Sequence, residues 1–175
     1  MHWTLELSTG TLRRIRIPLI LAVVLSATIG AAAYAYAYNS APRSLPFYTL
    51  SYGYGAPFYG TTIYLVINNQ LSLASVWNST NACSSNQSPC TPPQLDMNQR
   101  TVIAVFFGLK GSSGYAINIT QVTSNDSGVT VNVLMTVPGN KCSELAILTA
   151  PFHMIDIAKV NVSISFTNRV QTTNC

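Results

Sequence analysis

Apolar and polar residues are distributed unevenly along this chain, and the contrast is sharpest between Thr101 and Thr120, TVIAVFFGLKGSSGYAINIT. Val102 to Phe107 is an unbroken apolar run, β-branched or aromatic except at Ala104, which is the pattern of a strand buried on both faces. Gly108 and the Gly111 to Gly114 stretch break that run. From Tyr115 onward Ile117 and Ile119 alternate with Asn118 and Thr120, giving a strand with one wet face. The two segments predict a hairpin at the centre of a domain, and the hairpin carries no acid, His or Cys.

The same reading assigns the remaining elements. Thr61 to Asn68 is the expected first strand. Leu73, Val76 and Trp77 then fall at helical spacing behind Asn68 or Asn69, either of which can cap a short helix over Leu71 to Trp77. Asn78 to Pro93 reads as loop. Ser124 to Gly128 is a turn, Val129 to Val137 alternates cleanly, and Pro138-Gly139-Asn140 is the next turn. Phe152 to Ile157 and Val160 to Phe166 supply the last strands, the latter with Val160, Val162, Ile164 and Phe166 inward. Short alternating segments around a single helix predict a mainly β domain, a sandwich or curled antiparallel sheet with one short helix.

The N-terminal part follows a different pattern. Residues 1–16 are polar and end in RRIR, and residues 17–38 carry no charge. As a helix that run is about 33 Å long, enough to cross a hydrocarbon core of about 30 Å. Arg13, Arg14 and Arg16 place the N-terminus in the cytoplasm and the rest outside. Tyr34, Tyr36 and Tyr38 fit an interfacial aromatic belt. The small residues Ala31, Ala33, Ala35 and Ala37 also suit a cleaved signal peptide, but the run is long for a signal core, so an uncleaved signal-anchor is expected. Residues 39–60 form a Pro, Gly and Tyr-rich tether, part of which is expected to lie along the domain as an edge strand. A sharper alternative has it pair with a neighbouring subunit. Residues 61–175 are the expected exported domain.

Charge narrows the partners. Charged residues are 8% of the chain, against about 25% in typical soluble proteins. From Asn39 onward six basic residues face four acidic ones, too scattered for a phosphate-binding patch, so nucleic acid is not an expected partner. No cofactor is expected. Gly108 to Gly114 is not followed by a helix pattern, and Lys110 is not placed as in a phosphate loop. Four cysteines, Cys83, Cys90, Cys142 and Cys175, lie on the exported side, where disulfides persist. Three pairings are possible. The short spacing favours Cys83 with Cys90, leaving Cys142 to hold Cys175. Without a C-x-x-C pair, and with His153 the only exported histidine, a metal site is not expected. Asp156 stands three residues beyond His153, but nothing marks a nucleophile for that pair to activate, so no enzyme activity is expected. Five N-x-Ser/Thr sequons, at Asn78, Asn86, Asn118, Asn125 and Asn161, are glycosylation candidates. Asn118 and Asn161 fall on polar strand faces, and Asn78 and Asn125 at a loop or turn.

The order of motifs resembles the C-terminal domain of PrcB, a protease-complex accessory subunit. The resemblance covers about Tyr64 to Phe166. It rests on YLVINN leading into the helix with Trp77, then LDM, VIAVFFGLKGSSGYAINI, VPGNKC and LTAPFHMIDI. The family turn is usually Thr-Gly-Gly-Tyr; here it is Ser112-Ser113-Gly114-Tyr115. The resemblance implies a membrane-anchored archaeal or bacterial member whose small β domain supports a protease complex without being its catalytic subunit. It marks Ser112, Ser113, Gly114 and Tyr115 as the partner-binding candidates. The wider Gly108 to Tyr115 turn looks faintly like the exposed loop of chagasin-type cysteine-protease inhibitors. The expectation is therefore a non-catalytic extracytoplasmic binding domain assisting an envelope protein, with two alternatives: a filament subunit using its tether for strand addition, and an inhibitor-like domain.

Overall fold

The computed structural model describes residues 24–36, 41–56, 60–80 and 91–175. It divides into two units, Met1–Ala41 and Pro42–Cys175. In the first, residues 24–36 are helical (α1). Among the described residues no helix is long and apolar enough to cross a membrane. Of the expected span over residues 17–38, residues 17–23 and 37–38 lie outside the described residues.

The second unit contains β1 (Arg43–Ser44), β2 (Phe47–Gly53), β3 (Ile63–Ile67), α2 (Gln70–Ser79), β4 (Arg100–Phe106), β5 (Ala116–Asn125), β6 (Gly128–Pro138), β7 (Phe152–Ala158) and β8 (Ile164–Thr173). These strands form two four-stranded sheets, one in the order β1-β5-β6-β8 and one in the order β2-β7-β4-β3. The second sheet is the middle layer. Ile103, Val105, Ile155 and Ile157 from one of its faces pack with Ile117, Ile119, Val131 and Val133 of the first sheet. From its other face Val102, Ala104, Phe106 and Met154 pack against Leu73 and Trp77 of α2. Each such Val, Ile or Phe contributes about 1.5–3 kcal/mol by leaving water. Asn69 caps α2, its side chain accepting the Ser72 N–H at 2.7 Å.

The expected hairpin between the Val102–Phe107 run and the Tyr115–Thr120 segment does not form. β4 pairs with β3 and β7, whereas β5 pairs with β1 and β6 in the other sheet. The reason lies in the burial patterns themselves. A strand covered on both faces belongs to a middle layer and one with a wet face to an outer layer, so the Gly-rich connection between them is a crossover from sheet to sheet.

Two further boundaries differ from expectation. The edge strand expected within residues 39–60 is β2, paired with β7, and with β1 and β2 included the compact unit begins at Pro42 rather than at residue 61. The last strand starts at Ile164, runs to Thr173 and pairs in parallel with β6. Val160 to Ser163 precede it as loop, and Val162 is 47% exposed. A disulfide joins Cys142, just after β6, to Cys175, just after β8, with Cα atoms 5.1 Å apart. Cys83 and Cys90 lie outside the described residues.

Candidate functional site

The crossover from β4 to β5 is braced by the segment that precedes β7. Lys110 and Thr149 exchange backbone hydrogen bonds, N–H to O at 2.7 and 2.9 Å. Thr149 Oγ1 donates to the Ser112 carbonyl at 3.0 Å. Ser113 is held three ways: its N–H donates to the Leu145 carbonyl at 2.9 Å, its Oγ accepts the Leu145 N–H at 3.0 Å, and it donates to Glu144 Oε2 at 2.5 Å. Gly114 has φ +85°, and a Cβ there would meet the Glu144 carboxylate at 2.5 Å. Glycine therefore meets two local demands, a left-handed backbone and the close approach of an acid. Behind the turn Lys110 Nζ sits 4.0 Å from the centre of the Phe107 ring, and Phe107 meets Tyr115 edge-on at 5.9 Å.

The structure thus places Ser112, Ser113, Gly114 and Tyr115 on one braced turn. Ser112, Ser113 and Tyr115 are half-buried, and Gly111 and Gly114 are exposed. Sequence reasoning missed the apolar loop against which the turn is fixed: Leu145, Ile147 and Leu148 are 68%, 50% and 69% exposed. The available signal was the run Leu145-Ala146-Ile147-Leu148, which lies outside any strand. Nothing local indicates that Glu144 reaches back 31 residues to Ser113.

His153 and Asp156 are not brought together. His153 Nδ1 accepts the Ile119 N–H at 2.9 Å, and Nε2 lies 3.0 Å from Thr49 Oγ1. Ile119 stands beside the irregularity in the β5–β6 ladder, so the imidazole fixes a strand of one sheet to two strands of the other. With Nδ1 an acceptor, the ring is the neutral Nε2–H tautomer, and burial pushes its pKa below the ordinary 6.5. Asp156 instead receives Arg100, whose Nε donates to Oδ1 at 2.7 Å and whose Nη2 also reaches the carboxylate. These hydrogen bonds raise the pKa of Arg100, and its guanidinium lies over the Tyr48 ring at 5.7 Å. His153 thus ties the two sheets together, and Asp156 ties β7 to β4 within one sheet.

Among the described residues no group of three or more His, Cys, Asp or Glu is placed to hold a metal. Asn78, Asn118, Asn125 and Asn161 are exposed. Asn78 lies in the last turn of α2 rather than in a loop, and Asn161 lies in the loop before β8 rather than on a strand. Asn125 caps the β5–β6 turn through the Ser127 and Gly128 N–H groups. Asn86 lies outside the described residues.

Fold and site together define a small two-sheet β domain that presents a braced turn and an exposed apolar loop. The family model described as PrcB C-terminal matches residues 101–158, which is β4 through β7 and includes both the turn and the loop. The chain is similar to that domain over this stretch. No curated protein and no solved structure matches.

Proposed function

We propose that the chain is a non-catalytic, membrane-anchored accessory subunit whose extracytoplasmic domain docks on a protease complex through the Ser112–Tyr115 turn and the Leu145–Leu148 loop. The observation that carries this reading is the pairing of a fixed turn with three exposed aliphatic side chains, inside the stretch similar to PrcB C-terminal. Exposed large apolar residues grouped beside a rigid element favour a protein partner, because little ordering is needed on docking. The uncharged run at residues 17–38 supports the anchor. The strand-forming part of the tether pairs with the chain's own β7, which disfavours its donation to a neighbour in a filament. The bonds from Ser113 to Glu144 and Leu145 disfavour the free, protruding loop of an inhibitor. Chemical cross-linking in cells expressing the full chain, followed by purification of the chain, tests the reading. A peptidase subunit captured with wild type and lost with Leu145→Asp or Leu148→Asp is expected; its equal recovery with both variants would overturn the proposal.

A further inference from the structure

The four sheet edges are not treated alike. β1 is two residues long, β3 is five, and β2 is interrupted by a register shift between Thr49 and Ser51. Short or irregular edges such as these resist pairing with another chain. β8 is different: ten residues run in unbroken register along β6, with no proline or bulge and a single charge, Arg169. Among the described residues no strand lies on its other side.

We infer that the free edge of β8 pairs with β8 of a second copy of this chain, antiparallel and about a twofold axis at Asn168. The choice of a second copy rests on the residue pattern. Ile164 and Phe166 face the core side with Val129 and Val131, so Asn168, Val170 and Thr172 share that face. A twofold axis perpendicular to the sheet pairs residues of one face with each other. Centred on Asn168 it sets Val170 opposite Phe166, Ile164 opposite Thr172, Ser165 opposite Gln171 and Arg169 opposite Thr167. Val170, 61% exposed in the single chain, then gains an aromatic neighbour, the kind of cross-strand pair that stabilises sheets. Centring the axis on Arg169 would place two guanidiniums opposite each other. Centring it on Thr167 would shorten the overlap. The resulting sheet has eight strands. An interface of one strand pair is smaller than those of stable complexes, so the dimer forms and dissociates within an accessible concentration range.

Sedimentation of the full chain in a non-ionic detergent, with micelles in excess over protein, tests this pairing. Concentration-dependent dimerisation is expected. Thr167 is exposed, so changing it leaves the core intact. Thr167→Asp, opposite Arg169 twice in the dimer, tightens association roughly 2- to 30-fold, and Thr167→Arg weakens it comparably; Thr167→Asn is the neutral control. Asn168→Cys gives a covalent dimer under mild oxidation, whereas Gln121→Cys, on β5, does not. A monomer at every concentration would overturn the inference. So would a dimer indifferent to both charge variants, or an Asn168→Cys adduct formed in cells with another protein instead of a second copy.

Discussion

Gly114→Ala probes the brace that fixes the turn. The backbone there is at φ +85°, and the new Cβ would lie 2.5 Å from Glu144 Cδ and Oε1. Alanine in a left-handed conformation costs about 1–2 kcal/mol. The carboxylate, at the end of a flexible side chain, must also swing away and release Ser113 Oγ, losing a hydrogen bond to a charged group. That loss is worth about 1–2 kcal/mol at this half-exposed position. The variant should therefore be destabilised by about 2–4 kcal/mol, read by urea denaturation through the fluorescence of buried Trp77. A double-mutant cycle separates the two parts. With Glu144→Ala already present there is no carboxylate to displace, so Gly114→Ala should cost only the backbone part, leaving a coupling of about 1–2 kcal/mol. Additive costs, with a coupling below about 0.5 kcal/mol, would refute the idea that Glu144 packs against residue 114 and locks the turn.

Other outcomes follow from the buried contacts. Because the folded chain holds His153 neutral below its ordinary pKa, stability is full above about pH 6.5. It falls as pH drops from there toward the folded pKa, by up to about 1.4 kcal/mol per pH unit; denaturation midpoints of wild type and His153→Gln across pH 5–8 should converge at the acid end. Arg100→Met leaves Asp156 buried without its partner and should cost about 2–3 kcal/mol, discounted because the Arg100 side chain is 29% exposed; thermal unfolding reads it. The Cys142–Cys175 bridge closes a separation of 33 residues, so its removal by Cys142→Ser with Cys175→Ser should cost about 2–4 kcal/mol, with β8 losing amide protection before β4 in hydrogen exchange.

What the sequence made legible, and what it hid, follows from the range of each signal. The double burial of β4, the alternation of β6 and the Asn69 cap are local patterns, and each is present in the fold. The pairing of Cys142 with Cys175, expected from spacing, is also found. One strand beside β4 is β7, whose residues pair with it from 46 to 58 positions away, and no periodicity reports that. β8 was placed too early because Thr167, Asn168, Arg169 and Gln171 carry no apolar alternation; its register is set by β6. An edge strand within residues 39–60 was legible in its aromatic residues, and β2 is that strand, but the Pro, Gly and Tyr composition hid its bounds, which are set where Phe47 and Leu50 pack against the two cores. At the site, the Gly-rich turn was visible as a break between strands. Its brace was not, because Glu144 and Leu145 approach only after β6 has run the length of the sheet.

The most direct test of the accessory role is site-specific photo-cross-linking in cells expressing the full chain. The photoreactive residue is placed in turn at Leu145 and Leu148 on the loop and at Asn118 and Thr120 on the outer face of β5. Adducts with a subunit of a peptidase complex are expected from the two loop positions and none from β5. Adducts from Asn118 and Thr120 with silence from the loop would contradict the accessory role.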